Sequence, residues 1–481
     1  MTDGRRAGGG ATTARSGRPG RLVGRARRAL AGAAVRQVLG VAVPVTAQTL
    51  FFSSKGIVDA AMLGSQSEVD VAAIGLAARA MFVASMFVVG LSVGAAQLGA
   101  QIWGGDGPGR DAALRRTVWL GWVVSTAAGV VVLVLFLVFP REVVALGTDS
   151  PEVVERGAGF LRLVSVTYVL LAYTTSISAG LRVMGRASVG MLYAGLGVLL
   201  NVGLNALLIT GLWGFPALGI TGAAYGTLVS ACVETLLLAL HLRWGRRLLG
   251  SFPRADLAGI RRDDLLALVR LAVPAAVNST LWALGTFAFY AIVGGASVHS
   301  ATALAILSPV ESLSLAFSVG LANGTAVLLG ARLGAGAFDE AYALARSLVL
   351  VSAVAGAVTG LVVWLLERPV LGLFPGVSPE SLALTGELFD VMVVGFVLKS
   401  VAMTLVMGVL RSGGEARFCL LLDVVAQWVL LLPLAALLRF VVGAEPVHVF
   451  ALLLVEETFR IVVAARRVRS RRWVASLVPA A

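Results

Sequence analysis

A chain of 481 residues that is 58% hydrophobic and only 14% charged is not an ordinary soluble domain, because those carry about 25% charged residues. Its mean hydropathy is +0.91, and apolar runs of spanning length recur from end to end. That defines an all-α polytopic membrane protein and excludes a β-barrel, whose segments are short and alternating.

Residues 1–36 carry nine arginines and one acid and are expected to form a disordered, basic cytosolic tail. The apolar run that follows is a full span, so this is not a secretory signal. Twelve spans are predicted, at about 38–63, 72–100, 118–139, 158–180, 188–212, 216–242, 266–294, 301–331, 345–366, 383–410, 417–440 and 446–466. They divide the chain into an N-lobe (37–242, helices 1–6), a cytosolic linker (243–265), a C-lobe (266–466, helices 7–12) and a basic cytosolic C-tail (467–481). The tails and even-numbered loops, with the adjoining turns, hold 31 of the 39 Lys and Arg. Odd-numbered loops hold four: Arg141, Arg156, Arg368 and Arg439. The asymmetry predicts a multi-pass plasma-membrane protein with both termini in the cytoplasm. It also spreads the net charge of +13 along one membrane face, which argues against a nucleic-acid groove.

The two halves repeat. A shift of 230 residues aligns Ala42-Val43-Pro44 with Ala272-Val273-Pro274, and then Gly64 with Gly294, Gly90 with Gly320, Gly94 with Gly324 and Gly104 with Gly334. A shift of 229 pairs Arg182 and Gly185 with Arg411 and Gly414. Six spans per half is an even number, so the repeats are parallel, as two six-helix lobes that rock about a site between them.

Several charges lie inside spans. Lys55 and Asp59, four residues apart in the first, share one helical face. Each costs about 2.5–3.5 kcal/mol at the bilayer centre on insertion scales. From the residues alone they form either a structural ion pair or a proton-exchanging carboxylate beside an internal cation. Their second-half counterparts are Gly285 and Phe289. Asp423 and Gln427 share a side of span 11, with Lys399 of span 10 as a candidate partner of Asp423. Packing or a second cavity site are the two readings there, and equally for Glu311 and Glu234. Glu456 and Glu457, one turn before Arg460 and toward a cytosolic end, read as a local ion pair or gate. Cys232 and Cys419 lie in apolar runs, and His241, His299 and His448 are far apart, so neither a metal site nor a cofactor is expected.

The run Pro44…Val58-Asp59…Gly64…Ala72-Ala73…Gly90-Leu91…Gly94…Ala100-Gln101…Gly104, with Gly180-Leu181-Arg182…Gly185, Asn201…Asn205, Gly222-Ala223-Ala224-Tyr225-Gly226-Thr227 and Gly408-Val409-Leu410-Arg411-Ser412-Gly413-Gly414, resembles the MATE (multidrug and toxic compound extrusion) family of the MOP flippase superfamily. The resemblance covers nearly all of 38–475. It implies an exporter driven by a proton or sodium gradient, alternating between inward-open and outward-open V shapes. By the same resemblance Asp59 matches the first-helix acid that couples ion to substrate. Asn201 and Asn205 match the paired polar positions of the fifth helix, where many proton-linked relatives carry an aspartate at the second. The helix 7 and helix 10 carboxylates of another group are replaced by Asn278-Ser279-Thr280 and Leu398-Lys399-Ser400. Coupling is therefore assigned to Asp59 and Lys55, and the substrate or network role to Asn201, Asn205, Thr227, Asp423 and Gln427.

The function expected is a secondary antiporter, monomeric and not an enzyme. It exports amphipathic, cationic organic compounds in exchange for H⁺ or Na⁺. The rivals are a lipid-linked precursor flippase of the same superfamily, which would have extra helices and a strongly cationic cavity, a membrane-embedded transferase, which would need a catalytic cluster absent from this sequence, and a passive channel.

Overall fold

The computed structural model describes residues 35–54, 58, 62, 67–245, 249 and 262–477. Lys55 and Asp59 lie outside the described residues, as do most of the basic N-terminal segment and most of the inter-lobe linker. The described chain is helical and has no strand.

The first six-helix half comprises α1 (Val35–Ser54), α2 (Glu68–Gly104), α3 (Arg110–Val138), the short α4 (Pro140–Ala145), the pair α5 (Pro151–Val164) and α6 (Thr167–Val183), α7 (Ala187–Thr210) and α8 (Ile220–Trp244). The second comprises α9 (Arg262–Gly294), α10 (Val298–Gly334), α11 (Phe338–Leu371), α12 (Pro379–Gly413), α13 (Ala416–Val442) and α14 (Pro446–Arg469). Ten of these are long and apolar enough to cross a membrane, and the bent pair α5–α6 makes an eleventh. The twelfth, α14, spans 24 residues but buries Glu456, Glu457 and Arg460 at its middle. The sequence reading had put these charges toward an end.

The fourth span is predicted as one helix and is broken in two. Ser165 Oγ donates to Arg162 O and Thr167 Oγ1 to Val164 O, so hydroxyls take carbonyls that the backbone ladder would use. The two segments meet at 48°. On the outer surface, Leu350, Val354, Val358, Leu361 and Leu365 of α11 are exposed. Their spacing of three to four residues makes one continuous stripe, the face a bilayer covers.

The repeated glycines close the molecule. Gly90 and Gly94 of α2 abut Ala276 and Ala272 of α9, while Gly320 and Gly324 of α10 abut Thr46 and Val38 of α1. Gly104 meets Ala331, and Gly334 meets Gln101. For Gly90 and Gly104, adding 230 to one member of the contact and subtracting it from the other gives the contacts of Gly320 and Gly334, so these are one contact made twice with the lobes exchanged. Gly94 and Gly324 depart from it by one turn, since the mate of Ala272 is Ala42 and Gly324 meets Val38. A Cβ at any of these glycines would overlap the opposing helix, chiefly its backbone. This is small-residue packing of the kind that lets membrane helices approach closely. We expect Gly104→Ala and Gly334→Ala to part the lobes similarly, since overpacking costs about 1–3 kcal/mol. Spin-label distances across that face should lengthen in both variants, and unchanged distances would show that the seam tolerates a methyl group.

The face carrying the basic loops is sealed further by the end of the chain. Trp473 is fully buried and its Nε1 donates to Val468 O at 3.2 Å. Gln101, also fully buried, donates through Nε2 to Ser412 O at 2.7 Å and accepts from Leu477 N at 2.6 Å. One side chain of the first half thus holds both the end of α12 and the C-terminal segment.

Candidate functional site

Each lobe encloses a polar group at repeat-equivalent helices, α7 and α8 in the first and α13 and α14 in the second. In the first, Asn201 and Asn205 are fully buried, and Asn201 Nδ2 donates to Thr227 Oγ1 at 3.4 Å. The three residues grouped from the sequence therefore come together. Gly226, one turn from Ser230, allows the approach: a Cβ there would overlap Asn205 Oδ1. Gly197 in the same way makes room for the Glu234 carboxylate. We expect Gly226→Ala to displace Asn205 and lower export several-fold in a protein that still inserts. Unchanged efflux would separate Asn205 from transport.

The second lobe holds more charge. Arg460 of α14 contacts Glu456 at 2.6 Å, Glu457 at 3.5 Å and Asp423 of α13 at 3.4 Å. The pairs with Glu456 and Glu457 follow from i,i+4 and i,i+3 spacing on one helix, as read from the sequence. Asp423 differs from expectation. Its partners are Arg460 and Asn278, whose Nδ2 donates to Asp423 Oδ2 at 2.7 Å. Lys399 instead pairs with Glu311 at 3.0 Å, which also accepts a short hydrogen bond from the Tyr290 hydroxyl. Lys399 remains within electrostatic reach of Glu456 and Glu457. The six ionic side chains are each at most 18% exposed. Four are acids and two are bases.

Two local features position this group. Residues Val425–Leu431 form a π-helical segment that begins two residues after Asp423. Such turns insert one residue and redirect side chains, often at functional sites. Gln427 lies within it, donates to Trp282 O at 3.3 Å, and rests against Gly285, where a Cβ would overlap its amide. Gly285 is the repeat mate of Lys55. The first half carries a cation at that position, and the second leaves it empty for a glutamine from α13. Gln427 and Asp423 are thus both inward-facing, but with separate partners. Asn278 and Arg460 were missed as partners of Asp423 because nothing in linear spacing relates α9, α13 and α14. Between the lobes, Phe82 of α2 meets Phe287 of α9 edge-on at 5.8 Å.

Two similar six-helix lobes, sealed at one face and polar within, define a two-lobed membrane transporter. The MatE family model matches the chain twice, over residues 44–207 and 274–437, two windows related by the same 230-residue shift. The chain belongs to this family of multidrug efflux transporters. It is similar to the probable multidrug resistance protein NorM of Pseudomonas aeruginosa, 27% identical over 421 residues that cover 85% of this chain and 84% of that one. It is also similar to the multidrug resistance protein MdtK of Pectobacterium atrosepticum, 24% identical over 409 residues covering 84% and 87%. Among solved structures, the outward-facing conformation of a multidrug resistance MATE family transporter superposes with a TM-score of 0.80 at 18% identity, over 91% of this chain and 96% of that one. A MOP superfamily transporter from Pyrococcus furiosus gives 0.80 at 17%, over the same shares. At those identities the likeness is one of fold.

Proposed function

We propose that this protein is a secondary antiporter that exports amphipathic, cationic organic compounds and takes up H⁺ or Na⁺ in return. The observation that carries the reading is the imbalance in the second lobe, where four carboxylates, each at most 14% exposed, face two cations. Isolated buried charge is expensive, so such a group favours bound protons or a bound cation. Asp59 and Lys55 supply the corresponding charges of the first lobe and are assigned the coupling step. Asn201, Asn205 and Thr227, with Asp423 and Gln427, form the substrate or network positions. Exchange becomes obligatory if substrate and cation compete for the same carboxylates and only loaded states switch.

The basic loops favour both termini in the cytoplasm. The sealed face is then cytoplasmic, and the conformation is one that loads cation from outside. The domain plan proposed is an N-lobe at 37–242, a linker at 243–265 and a C-lobe at 266–466, with cytosolic segments at either end. The test is efflux of a cationic dye from proteoliposomes under an imposed pH gradient and then under an imposed Na⁺ gradient. Export driven by one of them is expected. Equal efflux with no gradient would overturn antiport in favour of a passive pathway.

A further inference from the structure

The helices that close the seam also line a small, partly open cavity whose walls are related by the pseudo-two-fold axis. It lies about two to three helical turns inside the basic-face ends of α2 and α10, about 10–16 Å at 1.5 Å per residue. Its walls include repeat mates from both lobes: Val93 with Asn323, Gln97 with Val327 and Arg182 with Arg411. The free volume is about 30 Å³, room for one or two water-sized bodies.

Arg182 and Arg411 reach it through the same turn. Each occupies the end of a helix closed by a glycine in the left-handed region, Gly185 at φ 70° and Gly414 at φ 86°. Gly185 N and Arg186 N bond to the carbonyls of Arg182 and Leu181, and Gly414 N and Glu415 N do the same for Arg411 and Leu410. The glycine caps thus satisfy the terminal carbonyls without help from the arginine side chains. Neither arginine makes an ion pair among the described residues. Arg411 is 4% exposed, and beyond the weak acceptor Cys419 its Nε and Nη1 have no partner among the described residues. Gln97 is 5% exposed, and both its amide oxygen and nitrogen lack partners among the described residues.

A buried guanidinium with no counter-charge is costly, as is an unsatisfied buried amide. Here a cation from each lobe and an amide donor converge on a space for one small body. We propose that the cavity is a binding site for a halide-sized monoanion, chloride in a cell, held by the Arg182 and Arg411 guanidiniums and the Gln97 amide. The free space fits a monatomic ion more closely than a tetrahedral phosphate. Because the arginines belong to different lobes, the ion bridges the seam, and the site comes apart when the lobes separate. It therefore stabilises the sealed face and need not be transported.

Thermal unfolding of the detergent-purified protein tests this, with sodium chloride or sodium phosphate replacing sodium gluconate at constant ionic strength. Chloride is expected to raise Tm saturably and phosphate to leave it unchanged. Arg182→Gln and Arg411→Gln should each weaken the chloride response, and the double variant should abolish it. In case Arg411→Gln does not fold, crystals of the unaltered protein grown in bromide should show anomalous density between the two guanidiniums. A chloride response of equal size in the variants, a response to phosphate instead, or a bromide-grown crystal with only water in the cavity would each overturn the proposal.

Discussion

Arg460→Gln is expected to lower the unfolding free energy by about 3–5 kcal/mol, the cost of removing one partner from a buried ionic group. The side chain touches three carboxylates, those of Glu456, Glu457 and Asp423, and is only 9% exposed. Without it, all three lose their only ionic contact within 4 Å among the described residues, and Asp423 keeps the Asn278 amide. Thermal unfolding in detergent should show the loss as a large drop in Tm. Glu456→Gln added to the same chain should recover part of it by removing one orphaned charge. A Tm within about a degree of the unaltered protein would mean that the carboxylates are already neutral and that Arg460 does not hold them.

This hub marks where sequence reasoning reached and where it stopped. Glu456, Glu457 and Arg460 were legible as a group because i,i+3 and i,i+4 neighbours are fixed by helical geometry alone. The partner of Asp423 was not. Lys399 was the nearest intramembrane cation by span order, but in space it faces Glu311, and Asp423 faces α14. Lateral helix order in a bundle leaves no trace in the spacing of one chain. The glycine repeat was legible for the opposite reason. A 230-residue register of residues without side chains is a pattern, and in the structure Gly90, Gly104, Gly320 and Gly334 each receive a residue of the opposite lobe. The break at Ser165 and the π-helical turn around Gln427 were not visible, since both come from local rearrangements of backbone hydrogen bonding within ordinary apolar sequence.

Asp59→Asn is expected to reduce gradient-driven export to the level of empty liposomes while the protein still inserts and folds. The substitution keeps size and polarity but removes the exchangeable charge, so any loss reports on coupling more than packing. Normal export by this variant would move coupling to the second-lobe carboxylates. Lys55→Ala, one turn away, should shift the pH dependence of transport, because a neighbouring cation favours the ionised carboxylate. An identical pH profile would leave Lys55 with a structural role only.

The reciprocal seams have a consequence for how such a protein is built. Gly90 receives residue 276 and Gly320 receives residue 46; Gly104 receives 331 and Gly334 receives 101. In each pair the socket and its filler are present in both halves. That is the pattern of an isologous dimer, in which one surface patch meets a copy of itself across a two-fold axis. Either half thus carries both sides of the interface. Joined in one polypeptide, the halves are free to differ wherever the seam does not constrain them, and they do so in sequence: Lys55 and Asp59 of one are matched by Gly285 and Phe289 of the other. The covalent link turns a symmetric pair into a vessel with two dissimilar chambers.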